Sequence, residues 1–375
     1  MSTVPVLAAI DQIFLWAVPF LVVLGVVVVV HELGHFLAAR FFQIKVETFS
    51  LGFGPEIGGF VDRRGTRWRL AAIPLGGYVK FKGDENAASM PSREKVEGLT
   101  ATEREGNFHA APLRHRAIIV AAGPMANFLL AIVIFFFWFA AFGKPSIEPR
   151  VEAVQAGSAA ERAGIQPGDR IVSVAGTRVD SFDELQRVVM LNAGSELALT
   201  VERGGQRLDL VAVPELTQAE CIGRLGISRS TRPEDVVVRT FGPGGALVAS
   251  LNETWFWLKQ PFVFIGQLIN QQACTNQLGG PIKIAQMSKD VASVSVLELL
   301  RWIAIISISI GILNLFPIPV LDGGHLMFYG AEAILGRPLS EKTQEIGFGI
   351  GLALLLMLMV VVTWNDVSSL IRGTG

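Results

Sequence analysis

Charge is what this sequence has least of. Only 17% of its 375 residues are Asp, Glu, Lys or Arg, against roughly 25% in an ordinary soluble domain. With 51% hydrophobic residues, such a chain is not a disordered one. Net charge is nearly absent too: 32 Lys+Arg against 33 Asp+Glu leave −1. That excludes the electrostatic footprint of a nucleic-acid-binding protein, so no nucleic-acid partner is expected. Cysteine is reduced to Cys221 and Cys274, which excludes a disulfide-rich scaffold and a zinc site built from cysteine alone. At this length the chain holds roughly two to three structural units.

The missing charge is missing in blocks. Gln12–Val30 runs 19 residues without a charge, Ala117–Gly143 runs 27, Trp302–Leu321 runs 20 and Ile346–Asn365 runs 20. A bilayer core needs roughly 20 apolar residues in a helix, so four membrane spans are expected. The first is expected to be retained rather than cleaved, because no Lys or Arg precedes it and its apolar run is long for a signal peptide. Arg40, Lys45, Arg114, His115 and Arg116 flank the loop between spans 1 and 2, and Arg337 and Lys342 follow span 3. The positive-inside rule then places that loop in the cytoplasm and both termini, with the long 144–300 segment, outside.

Between the spans the pattern changes. Residues 44–83 alternate apolar and polar residues around many glycines, which reads as a small membrane-associated β-loop, followed by a polar cytoplasmic loop over 84–116. Residues 144–215 read as a separate α+β domain, with strands at Arg150–Val154, Arg170–Val174, Glu196–Glu202 and Arg207–Val213 and helices at Ser158–Gly164 and Asp183–Leu191. Its run GSAAERAGIQPGDRIVSVAGTRV (157–179) resembles a bacterial PDZ domain, a fold that takes extended peptides onto a sheet edge. A connector, 216–300, carries Trp255, Phe256, Trp257, Phe262 and Phe264 interrupted by Glu253 and Lys259, the pattern of an amphipathic surface helix rather than a fifth span. The spans themselves fall within 1–43, 117–143, 301–328 and 345–365, with a tail at 366–375.

Chemistry concentrates at two places. The first span ends in VVVVVHELGHFLAAR, where His31 and His35 share one helix face and Glu32 lies between them. Two imidazoles at that spacing can hold one Zn²⁺, with the glutamate as general base. Polar, ionisable groups directly after a valine run are costly in lipid and usually functional. Two histidines leave a catalytic zinc one protein ligand short. His109, His115 and His325 are the remaining histidines, and Asp322 in NLFPIPVLDGGH (314–325) is the better candidate. Pro317 and Pro319 must break the helix there, and Gly323 and Gly324 allow close backbone approach. Spans 1 and 3 run in the same direction, so both motifs reach the same depth, near the cytoplasmic face.

HELGH, PLGGYVKF, GPMAN, the PDZ-like segment and NLFPIPVLDGG occur in this order, and together they span nearly the whole chain. The sequence resembles the site-2 proteases, intramembrane zinc metalloproteases, and most of all the bacterial group typified by the regulator of sigma-E protease, in a single-PDZ form. The resemblance implies a polytopic α-helical membrane protein with four transmembrane helices, a membrane-associated β-loop and one extracytoplasmic PDZ domain, in a bacterial inner membrane. It implies Zn²⁺ held by His31, His35 and Asp322, Glu32 as the catalytic base and Asn314 as a substrate-handling residue. It also implies a β-loop at 66–83 that holds substrate as an added strand. The implied substrates are single-pass membrane proteins, such as anti-sigma factors after ectodomain trimming or remnant signal peptides. The PDZ domain would meet a peptide or a trimmed C-terminus, and the bilayer is the remaining partner. Two other readings are a non-catalytic scaffold that binds partners through its PDZ domain and a zinc-dependent transporter. The first should have lost Glu32 or a ligand; the second should scatter ionisable residues along the spans.

Overall fold

The computed structural model describes residues 4–84, 98–216, 223–229, 235–269 and 279–372. Cys221 and Cys274, whose pairing the sequence leaves open, lie outside them, as do residues 85–97 of the polar loop. In chain order come helix α1 (Val4–Phe41), strands β1 (Val46–Val61) and β2 (Arg67–Phe81), a helical turn α2 (Ala101–Arg104) and helix α3 (Leu113–Phe142). There follow β3 (Lys144–Ile147), β4 (Ala153–Val154), α4 (Ala159–Arg162), β5 (Arg170–Val174), β6 (Thr177–Arg178), α5 (Phe182–Met190), β7 (Leu197–Arg203) and β8 (Gln206–Ala212). Next are β9 (Glu215–Leu216), β10 (Gly223–Arg224), β11 (Ile227–Ser228), β12 (Val236–Arg239) and α6 (Pro243–Ile269). The last helices are α7 (Pro281–Val294), α8 (Val296–Leu315), α9 (Asp322–Leu335) and α10 (Glu341–Arg372). Two compact units result, residues 1–135 with 279–375 and residues 136–278.

Among the described residues, four helical stretches are long and apolar enough to cross a membrane: Leu15–Phe41, Leu113–Phe142, Val296–Leu315 and Glu341–Ile371. Valine and isoleucine runs favour strands in water. Where no water reaches the backbone, a helix is what pairs every N–H and C=O within one segment. α6 is not one of the four. It leaves Trp255, Phe262 and Ile269 exposed.

Two boundaries differ from those read in the sequence. The third span, expected over 301–328, is two helices. α8 stops at Leu315, and α9 begins afresh at Asp322. Pro317 and Pro319 remove the N–H groups that would continue the ladder. The break folds tightly onto the first turn of α9: a Cβ at Gly323 would lie 2.3 Å from the carbonyl oxygens of Leu315 and Phe316, so only glycine fits. The tail, expected from 366, is helix as far as Arg372. Asp366, 2% exposed, accepts from the N–H groups of Gly280 at 2.8 Å, Ile282 at 3.0 Å and Lys283 at 3.1 Å. It thereby caps the start of α7 from a distance, since Gly280 has no side chain to do so.

The first unit has a core where α1 meets the hairpin. Phe36, Phe49, Phe81, Phe108 and Ile119 are buried together, with Trp68 packed against them. β1 and β2 pair twice over. Thr48 to Leu51 face Lys80 to Gly77 on one side and Arg67 to Leu70 on the other, and Gly58–Val61 then pair back onto Leu70–Arg67. Both strands therefore bend, and Gly52 and Gly54 at φ +88° and +84° supply the bend in β1. Among the described residues Gly77–Phe81 pair on one side only and form an outer edge. Asp62 ties the hairpin to α1 by pairing with Arg40 and accepting the Trp68 indole N–H at 3.0 Å.

The second unit is built on a four-stranded sheet in the order β6-β5-β7-β8. Its core holds Val151, Ile171, Val174, Leu185, Leu199 and Val201. The domain reaches beyond the expected limit at 215: β11 pairs with β4, and β12 with β3. These strands are two to four residues long, too short for an alternation to register. Asp169 is fully buried. It takes two hydrogen bonds from Arg203, at 2.7 and 2.8 Å, and one from the Gln166 N–H at 2.9 Å. Burial works to raise its carboxyl, but the Arg203 and Gln166 bonds outweigh it and hold the group below the usual carboxylate range. A depressed folded-state value stabilises the fold above the unfolded carboxylate pKa of roughly 4, and that contribution is lost as pH falls below it. Asp169→Asn is expected to cost about 2 kcal/mol at pH 7, with the gap from wild type narrowing as pH falls below the unfolded carboxylate value of roughly 4, as measured by thermal unfolding in detergent.

Candidate metal centre

Three ligand atoms converge in the first unit. His31 and His35 stand one turn apart on α1, both 8% exposed. Their Nε2 atoms are 3.2 Å apart and their rings are nearly perpendicular, at 85°. Asp322 is delivered by the break between α8 and α9, as the first residue of α9. Its Oδ2 lies 3.1 Å from His31 Nε2 and 3.5 Å from His35 Nε2. Among the described residues this is the one group of three or more His, Cys, Asp or Glu whose ligand atoms come close enough to hold an ion. The two sequence motifs, 287 positions apart, thus share one point in space.

The spacing suits zinc. Ligand atoms around a tetrahedral Zn²⁺, with bonds of about 2.0–2.1 Å, lie about 3.3 Å from one another. The three observed separations of 3.1, 3.2 and 3.5 Å bracket that value. Asp322 Oδ2 is buried and among the described residues finds no hydrogen-bond partner of proper geometry, which is costly for a carboxylate unless a cation stands beside it.

α3 presses against this centre. A Cβ on Gly123 would lie 2.3 Å from His35 Nε2 and 2.9 Å from His31 Nε2. Any side chain there would occupy the histidines' space. The remaining ring nitrogens also face α3: His35 Nδ1 is 2.9 Å from the Ile119 carbonyl oxygen, and His31 Nδ1 is 3.3 Å from Asn127 Nδ2.

Glu32 points the other way, towards the hairpin. Its carboxylate is in hydrogen-bonding reach of the Val79 N–H, and its Cγ lies 3.2 Å from where a Cβ on Gly77 would be. A cavity of about 650 Å³ opens here. The three ligands, Glu32 and Asn314 all line it, together with the Gly77–Phe81 edge. All five site residues singled out in the sequence therefore border one space. Sequence reasoning gave no role to Gly123 and Asn127, or to the Asp84–His109 pair, 2.8 Å apart in the cavity wall. Gly123 and Asn127 lie in the GPMAN motif (123–127), which carried the resemblance without giving either residue a role.

Gly123→Ala is expected to lower zinc retention at least tenfold, read by metal analysis of the purified chain against a chelator series.

Comparison with known proteins agrees with this chemistry. The model of peptidase family M50 matches residues 19–358. A protein of Agrobacterium fabrum named as a candidate zinc metalloprotease is 43% identical over 363 residues, covering 95% of this chain and 96% of the relative. A Mesorhizobium japonicum protein named in the same way is 45% identical over 358 residues, covering 93% and 98%. The metalloprotease MmpA of Caulobacter vibrioides is 38% identical over 384 residues, covering 94% and 95%. The chain belongs to peptidase family M50, the site-2 proteases, and is a zinc-dependent metalloendopeptidase of the membrane.

Proposed function

We propose that this enzyme hydrolyses peptide bonds inside the transmembrane segments of single-pass membrane proteins, as a step of regulated intramembrane proteolysis in a bacterial inner membrane. One observation carries the reading. His31 lies ten residues before the end of α1, about 15 Å back along the helix axis, within the stretch Leu15–Phe41 that is apolar enough to span a bilayer. The reactive centre is therefore set among lipid-facing helices rather than beyond their ends. The basic flanks of the spans support a cytoplasmic location for the loop after α1, with both termini and the PDZ-like unit on the periplasmic side.

His31, His35 and Asp322 hold the zinc. When bound, zinc supplies Lewis acidity, which acidifies water and polarises the scissile carbonyl. Glu32 takes the proton of the attacking water and returns it to the leaving amine. Its place between the ligands and the Gly77–Phe81 edge suits both transfers. A substrate helix hides its peptide bonds in its own ladder, and it must be locally extended before attack. The free side of Gly77–Phe81 offers that extended segment a strand partner, replacing the hydrogen bonds given up on unwinding. Asn314 lines the same space, which suits a residue that handles substrate near the metal. The PDZ-like domain acts as a gate for substrates whose ectodomains have been trimmed.

Glu32→Gln is expected to retain zinc and folding while lowering cleavage of a model transmembrane substrate by 10²- to 10⁴-fold. Full cleavage by this variant would sink the catalytic assignment and favour a membrane scaffold. Replacing residues 148–235, the part of the domain between the paired strands β3 and β12, by a short linker should let untrimmed substrate be cut, read by immunoblot of substrate fragments; intact untrimmed substrate would refute gating.

A further inference from the structure

We infer that Asn127 is a positioning residue that fixes the tautomer and orientation of His31. This role rests on the reading that His31, His35 and Asp322 hold the zinc. Asn127 sits in the middle of α3, fully buried, within the uncharged run 117–143. A primary amide at such a place must be hydrogen-bonded or it destabilises the fold. Its backbone carbonyl is engaged, accepting from Ser307 Oγ of α8 at 2.9 Å. Its side chain reaches His31, with Nδ2 3.3 Å from Nδ1. Among the described residues its buried Oδ1 has no partner.

The polarity of that contact decides the role. His31 turns Nε2 towards Asp322 and His35. A neutral imidazole that offers the Nε2 lone pair to a metal carries its proton on Nδ1. Nδ1 is then a donor and needs an acceptor opposite it. A half-turn of the carboxamide exchanges oxygen and nitrogen with almost no change of shape. That turn places Oδ1 against the Nδ1 proton and gives the orphaned oxygen its partner. For His35 the same task falls to a backbone group, the Ile119 carbonyl. α3 therefore orients both rings, one turn of α1 apart, and Asn127 is the part of this support that a side-chain substitution can remove. Outer partners of metal-bound histidines typically account for 10- to 100-fold in metal affinity.

The test is zinc affinity of the purified full-length protein, by chelator competition, for wild type, Asn127→Ala, Asn127→Asp and His31→Ala, with thermal unfolding of the metal-free forms alongside. Asn127→Ala should bind zinc 10- to 100-fold more weakly, with metal-free stability too little changed to account for it. Asn127→Asp keeps an acceptor and deletes the donor, and should bind within threefold of wild type or more tightly. Wild-type affinity in Asn127→Ala overturns the role. So does an Asn127→Asp variant as weak as Asn127→Ala, because the amide would then be acting as a donor. If Asn127→Ala does not fold, Asn127→Asp alone decides by the same criterion. Wild type that holds no zinc, or holds it equally well after His31→Ala, would instead overturn the ligand assignment beneath it.

Discussion

A carboxylate oxygen and two imidazole nitrogens within 3.1–3.5 Å of one another, among apolar helices, form an arrangement that cannot stand alone. Each polar group taken out of water has to be paired, and that requirement sets the packing around the centre. α1 supplies two nitrogens, and the proline break after α8 supplies the oxygen. α3 must come close enough to pair with the outer nitrogens, which is why Gly123 stands where the imidazoles lie. The three helices are thus held by the needs of the site as much as by the packing of Val23, Val27, Ile303 and Ile306.

The hairpin answers a different need. Two strands cover the work of four because each bends and pairs twice, leaving Gly77–Phe81 as an edge beside Glu32. Exposed edges are prone to unwanted pairing, and this one is fixed at its end. Asp84 accepts the Phe81 N–H at 2.9 Å and pairs with His109 at 2.8 Å. A strand partner held this way loses little freedom when an extended segment joins it.

Much of this was legible in the sequence, for reasons that differ by element. The spans declare themselves by absence of charge. His31, Glu32 and His35 are legible because helical periodicity fixes which residues share a face. Asp322 is legible because two prolines within three residues cannot continue a helix. Gly123 and Asn127 are marked by the GPMAN motif (123–127), but their roles are not legible, because a single small or neutral residue leaves the apolar character of its run unchanged. The double pairing of β1 is silent because alternation marks faces and not edges. β11 and β12 fell outside the domain read at 144–215 because their partners lie some seventy to ninety residues earlier. Asp366 fell in the tail read at 366–375, since an acid just past an apolar run marks where the run stops.

That last carboxylate bears on biogenesis. Asp366 closes the amino end of α7. α7 in turn lies between the helices of the centre: Ile284 packs with Val23 and Ile303, and the Trp302 indole donates to Ser288 Oγ at 2.9 Å. Asp366 follows the three residues whose N–H groups it binds by 83 to 86 positions. Until Asp366 has been made the α7 amino terminus lacks its cap, so the helix that braces α1 against α8 is completed only after most of α10 has been synthesised.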